Sequence, residues 1–167
     1  VNLFRSLFRG REDVYAQRFV TKDGKRGYQP VCRNRWSIEC KAHKYKCEGC
    51  AHRDLVPLDD AIIRRHLHKG AKETDIIGLF PIMEDNTCFF LCADFDDKNC
   101  QHGYKDDVLS YVGVCNDWNI PVYIERSRSG NGAHLWIFFS EPVSAALARK
   151  LGFAILGSAM ERNVQLD

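Results

Sequence analysis

Residues 133–139, Ala-His-Leu-Trp-Ile-Phe-Phe, are apolar on both sides of an extended chain. Successive strand residues face opposite ways, so His134, Trp136 and Phe138 share one face and Leu135, Ile137 and Phe139 the other. A strand that is wet on one side alternates; this one does not, which makes it a central strand. His134 stands at its open end, where a histidine is placed to act, although an isolated one is more often a satisfied core residue. The neighbouring patterns fit around it. Ile76–Phe80 and Thr87–Phe95 read as strands with a turn at 81–86. Tyr104–Trp118 reads as an amphipathic helix with Val108, Tyr111, Val112 and Cys115 inward. Pro121–Glu125 is a strand joined to 133–139 by the loop 126–132, and Val143–Met160 is a closing helix. The order β-β-α-β-β-α predicts an α+β fold, an antiparallel sheet with helices on one face.

Upstream the signals are shorter. Apolar residues at mixed helical spacing in 1–20, punctuated by Arg5, Arg9, Arg11 and Arg18, predict one or two short helices. Thr21–Gly27 is a turn-rich connector marked by Asp23-Gly24. Asp59–His68 reads as a helix with Leu58, Ile62, Ile63 and Leu67 on one face and Gly70 just past its end. The expected division is 1–72, a basic helical segment with a cysteine cluster at about 28–53, and 73–167, a core truncated at its C-terminal side.

Charge follows the same division. Residues 1–72 hold 17 Lys/Arg against 8 Asp/Glu, whereas 73–167 hold 7 against 14, so the overall +2 conceals a basic half and an acidic half. The basic half suits a nucleic-acid backbone, or is simply a solvated face. Hydrophobic content of 45% and charged content of 28% are those of a soluble globular protein. No run of about 18 apolar residues exists, so no membrane partner is expected. The start at Val1, without a secretory pattern, reads as an internal piece of a longer chain from a reducing, cytoplasmic compartment.

Four of the eight cysteines, Cys32, Cys40, Cys47 and Cys50, fall in one short basic stretch. Tetrahedral Zn²⁺ takes four such thiolates, and the Cys-x2-Cys pair makes a low-strain knuckle. His43 or His52 could replace one thiol. A segment with so little apolar content cannot build its own core, and a structural zinc would supply the missing folding energy. Cys88, Cys92 and Cys115 read as reduced core residues.

Ala93-Asp94-Phe95-Asp96 closes the second strand, with Asp94 and Asp96 on one face. Two carboxylates held together favour a hard cation such as Mg²⁺, shared with phosphate and water. Ser129-Gly130-Asn131-Gly132-Ala133-His134 is a glycine-rich loop that runs into the central strand. Together the two segments predict metal-dependent chemistry on a phosphate, with a nucleotide as substrate.

Phe8-Arg9-Gly10-Arg11, the four cysteines, Ala93–Asp96, Ile124-Glu125-Arg126-Ser127-Arg128 with the loop to Trp136, and Ala148-Arg149-Lys150-Leu151 together resemble the archaeo-eukaryotic primase superfamily. The nearest likeness is to the primase-polymerase domain of TOTE conflict systems. That resemblance implies an RNA-recognition-like (RRM-like) catalytic core and two-metal nucleotidyl transfer from NTP or dNTP onto a primer end on single-stranded DNA. It implies Asp94 and Asp96 as ligands of Mg²⁺ or Mn²⁺, with Asp167, after Leu166, as the third. His134 and the loop Arg126, Arg128, Ser129, Gly130, Asn131 and Gly132 would hold the nucleotide's phosphates. Helicase and nuclease modules would be fused or associated partners. The rival readings are a non-catalytic zinc-containing nucleic-acid-binding module and a metal-dependent nuclease.

Overall fold

The computed structural model describes residues 1–42, 44, 46, 47, 49–97, 103–128 and 130–162. The chain divides into two compact units, Val1–Met83 and Glu84–Asp167.

The first unit opens with helix α1 (Asn2–Leu7) and a hairpin of β1 (Ala16–Val20) and β2 (Arg26–Pro30). Of the one or two short helices expected within residues 1–20, one forms, and the later residues make a strand. The Asp23-Gly24 connector is a hairpin turn, with Gly24 at φ +80° and its N–H on the Thr21 carbonyl. A two-residue β3 (Ile77–Gly78) pairs with the other edge of β1, giving an antiparallel order β2-β1-β3. Helix α2 (Ile38–Ala42) lies in the cysteine-rich stretch. Helix α3 (Asp60–His66) is capped by Asp59, whose carboxylate accepts the Ile62 N–H at 2.8 Å. Tyr15, Leu58, Ile62 and Ile63 make a small core with Phe4, Val31 and Val56 against it.

The second unit reads β-α-β-β-α: β4 (Thr87–Asp96), α4 (Tyr104–Asp117), β5 (Tyr123–Arg126), β6 (Gly132–Ser144) and α5 (Ala145–Arg162). The sheet is antiparallel in the order β4-β6-β5, so the strand with two apolar faces is the central one. The expected first strand of this sheet, 76–80, belongs to the first unit. Strand β6 runs on through Pro142, which occupies the outlying part of the strand, where the ladder to β4 is irregular. Helix α4 stops in a Schellman turn. Asn119 sits at φ +54°, its N–H on the Asn116 carbonyl, and the Ile120 N–H reaches the Cys115 carbonyl at 2.8 Å.

Both helices lie on one face of the sheet. Leu135, Ile137 and Ala133 from β6, with Leu91, Ala93 and Phe95 from β4, pack on Val108, Tyr111, Val114 and Cys115 of α4 and Ile155 and Ala159 of α5. The even-numbered residues Phe90, Cys92, Asp94 and Asp96 of β4 and His134, Trp136 and Phe138 of β6, with Tyr123 and Glu125 of β5, therefore share the opposite face. Cys92 corrects an expectation, since it is exposed while Cys88 and Cys115 are buried. A register shift between Cys88 and Phe90 breaks the simple alternation that would have put Cys88 and Cys92 on one side.

Candidate active site

The three strands bring one row of polar groups together. Asp94 on β4 lies opposite His134 on β6, and His134 lies opposite Glu125 on β5. The imidazole bridges the two carboxylates, with Nε2 3.5 Å from Asp94 Oδ1 and Nδ1 3.2 Å from Glu125 Oε2. The Trp136 indole N–H also donates to Glu125 Oε2, at 2.8 Å. Side-chain exposure rises from 33% at His134 to 55% at Glu125 and 65% at Asp94, so solvent or a ligand reaches the row. Asp96 follows on the same face, opposite Gly132. Glu125 was missed as a site residue because it is two strands away from Asp94. Its place two residues into the strand before a loop that ends at His134 was the available signal.

An aromatic surface continues along the face. Trp136 and Phe138 stack at 6.3 Å with 7° between their planes, Phe90 meets both edge-on, and Tyr123 leans on Phe138. Cys92 stands among these groups. Desolvation, with the Asp94 and Glu125 carboxylates adding to it, pushes its thiol up to about 12, so it is a neutral neighbour of the row.

The loop into β6 is tightly built. The Ser127 N–H donates to the Gly132 carbonyl, the Gly130 N–H to the Ser127 carbonyl, and the Asp97 N–H to the Asn131 carbonyl. Gly130 sits at φ +80°, and a Cβ on Gly132 would collide with the Phe95 carbonyl oxygen. Arg126 donates from Nε and Nη2 to the Gly130 carbonyl, so its guanidinium staples the loop. Arg128 is exposed. Ser129 and Asp167 lie outside the described residues.

On the helix side, a cavity of about 280 Å³ runs between β4 and α5, lined by Leu91, Phe95, Tyr111, Arg149, Gly152 and Leu156 among others. The Tyr111 hydroxyl is buried there without a hydrogen-bond partner among the described residues.

Two carboxylates on one strand face suit a hard divalent ion that completes its shell with phosphate and water, so Asp94 and Asp96 fit Mg²⁺ or Mn²⁺ by donor chemistry. In the first unit, Cys32, Cys40, Cys47, Cys50 and His52 line one small cavity of about 20 Å³, and the Asp54 N–H points at Cys32 Sγ, 3.4 Å away. Even so, among the described residues no three Cys, His, Asp or Glu side chains converge as a metal cage. Among the described residues, the cysteines of the expected zinc cluster stand as a neighbourhood of thiols. His43 lies outside the described residues.

The archaeo-eukaryotic primase domain of TOTE conflict systems matches the chain over residues 1–167. The chain belongs to this family. At the level of the superfamily, the primase domain performs nucleotidyl transfer and uses divalent metals. A mixed fold of helices and small antiparallel sheets is consistent with such a domain. No curated protein is significantly similar to this chain. None of the helices among the described residues is long and apolar enough to cross a membrane.

Proposed function

We propose that this primase domain is a DNA primase-polymerase that adds nucleotides from NTP or dNTP to a primer end on a single-stranded DNA template. The observation that carries the reading is the row Asp94–His134–Glu125 across three strands, with Asp96 one step along and the glycine-rich loop at its end. Two carboxylates and a histidine share one sheet face, with the glycine-rich loop at the end of the row.

Divalent ions, when bound, clamp the attacking and leaving oxygens of the in-line displacement. Asp94 and Asp96 would hold them, with Asp167 as the third ligand. His134 directs Nε2 to the side where Asp94 stands, which is where a triphosphate bound to the same ions would offer an acceptor oxygen. The loop residues Arg126, Arg128, Ser129, Gly130, Asn131 and Gly132 would hold the phosphates, as the family likeness implies. For Arg126, engagement with substrate would compete with its bonds to the Gly130 carbonyl.

The β-α-β-β-α order supports an RRM-like core. The remaining strand of such a core would lie along the outer edge of β4, with which no described strand pairs. The groove between β4 and α5 would receive its apolar side chains. In the first unit, Cys32, Cys40, Cys47 and Cys50 are proposed to hold a structural Zn²⁺ in the cavity they line, a space of about one water molecule. The exposed Arg33, Lys41, Lys44, Lys46 and Arg53 around them suit the template backbone. Helicase and nuclease modules as partners, and a cytoplasmic setting, follow from the family likeness alone.

The test is incorporation of labelled nucleotide on single-stranded DNA, with and without a primer, in Mg²⁺ and in Mn²⁺. Template-dependent product that disappears in Asp94→Ala/Asp96→Ala supports the polymerase, and product without a primer supports the primase. DNA binding that survives the substitutions, with no product from the unsubstituted chain, would leave a binding module instead. Zinc released stoichiometrically by a thiol reagent supports the knuckle; metal-free protein with an unchanged fold removes it.

A further inference from the structure

We infer that Glu125 is a positioning residue that holds His134 in one ring orientation, with a proton on Nδ1 and with Nε2 turned toward the metal-binding side. Its consequence for substrate rests on the nucleotidyl-transfer reading; its geometry does not.

The argument begins with donors and acceptors. An indole N–H only donates, so the 2.8 Å contact from Trp136 Nε1 makes Glu125 Oε2 an acceptor. An ionised carboxylate oxygen has no proton to give. The same oxygen lies 3.2 Å from His134 Nδ1, so the proton in that contact is on the imidazole. A ring flip would exchange the nitrogen at Oε2 for a C–H and lose the bond. The strand register reinforces this, because Glu125 and Asp94 are the two cross-strand neighbours of His134 and the ring spans the distance between them. Nε2 is left facing Asp94 Oδ1 at 3.5 Å, a loose contact; when the ring carries a proton on each nitrogen, Nε2 donates on that side and an incoming phosphate oxygen can take the place of the carboxylate. The arrangement matches the way a carboxylate behind a histidine fixes which ring nitrogen works.

Glu125 also fixes Trp136. One oxygen accepts from both rings, which stand edge to face at 5.9 Å, so the carboxylate locks a His–Trp pair on the open face. Asp94 cannot replace it, since it is reached only through the other ring nitrogen.

The experiment uses the whole 167-residue chain with ¹⁵N-labelled histidine. The unsubstituted protein should show a His134 Nδ1–H resonance protected from solvent exchange. Glu125→Ala should lose it, whereas Glu125→Gln, whose amide oxygen can still accept, should keep it. Binding of magnesium-dATP should weaken about tenfold to a hundredfold in Glu125→Ala and stay close to the unsubstituted value in Glu125→Gln. An unchanged backbone amide spectrum would show that Glu125→Ala is folded. An unprotonated Nδ1 in the unsubstituted protein, a resonance that survives Glu125→Ala, or unchanged dATP affinity in that variant would overturn the inference. If the unsubstituted chain shows the Nδ1 proton and binds no dATP, the nucleotidyl-transfer reading fails while the hold of Glu125 on the ring stands.

Discussion

Asp94 and His134 face each other across the β4–β6 ladder, Oδ1 and Nε2 3.5 Å apart, although 40 residues separate them in sequence. The contact is made by register, and register is set by what lies underneath. Leu135 and Ile137 must stay on the helix side, and a slip of one residue would turn them to solvent and His134 into the core. The apolar face of β6 thus places the polar one. The core and the site are two sides of one strand.

Asp94→Asn and Asp96→Asn should each lower nucleotide incorporation by at least about a hundredfold, the scale of losing one electrostatic group at a reacting phosphate. Affinity for single-stranded DNA should change little, because the substitutions remove negative charge and no positive one that a phosphate backbone would use. Steady-state incorporation and a DNA-binding titration on the same preparations check both halves. Equal loss of DNA binding would place these aspartates in the fold and not in the chemistry.

Gly132→Ala should destabilise the second unit by about 1–3 kcal/mol, because the added methyl group meets the Phe95 carbonyl and β4 must give way. Thermal unfolding measures it. Gly157, where an added Cβ meets nothing within 4 Å, is the control, and Gly157→Ala should be neutral or slightly stabilising within helix α5.

The contrast between these two glycines shows what was legible in the sequence. Loop 126–132 was readable as a glycine-rich hairpin, Asp94 and Asp96 as one face of their strand, and His134, Trp136 and Phe138 as one face of theirs, because period-two alternation is a local property. Close approach of Gly132 to Phe95 was not, because it depends on which strand lies alongside. The same limit explains Glu125, whose partner is set by the β5–β6 register, and the exposure of Cys92, which follows from an irregularity at Cys88–Phe90. Residues 14–20 were misread for a different reason. Val14, Tyr15 and Phe19 fit helical spacing, yet the chain is long enough after Gly10 to pair with 26–30 through the Asp23-Gly24 turn, and tertiary pairing overrode the local pattern. In the cysteine stretch, ligand types were legible while their convergence was not, since spacing in sequence does not fix sulfur positions.

Tyr111→Phe should raise stability by about 1 kcal/mol. The phenol is 1% exposed and its hydroxyl finds no partner among the described residues, so the unfolded chain hydrates a group that the folded chain strands. The ring stays, together with its edge-to-face contact with Phe95 at 5.7 Å. A higher urea midpoint with an unchanged slope is the expected result. A lower midpoint would mean that the hydroxyl is hydrogen-bonded in solution.

Alkaline pH should destabilise this chain through three of its thiols and one phenol. Cys88, Cys92, Cys115 and Tyr111 all have their acid forms favoured in the fold, chiefly by desolvation. For Cys92 the ordinary thiol value of 9.0 moves up to about 12. Below the unfolded value both states carry the proton and the full stability is present. Above it the unfolded chain releases protons that the folded chain retains, so stability falls as pH rises from about 9 toward 12. Urea unfolding at pH 7 and pH 10 should therefore show a lower midpoint at the higher pH. Cys92→Ser and Cys115→Ala should each lessen the difference. The same shift makes an exposed thiol slow to react. At pH 7.5 iodoacetamide should modify Cys92 far more slowly than a free cysteine, because the thiolate is the nucleophile. Rapid alkylation of Cys92 at that pH would show that desolvation and the two neighbouring carboxylates do not hold its proton in place.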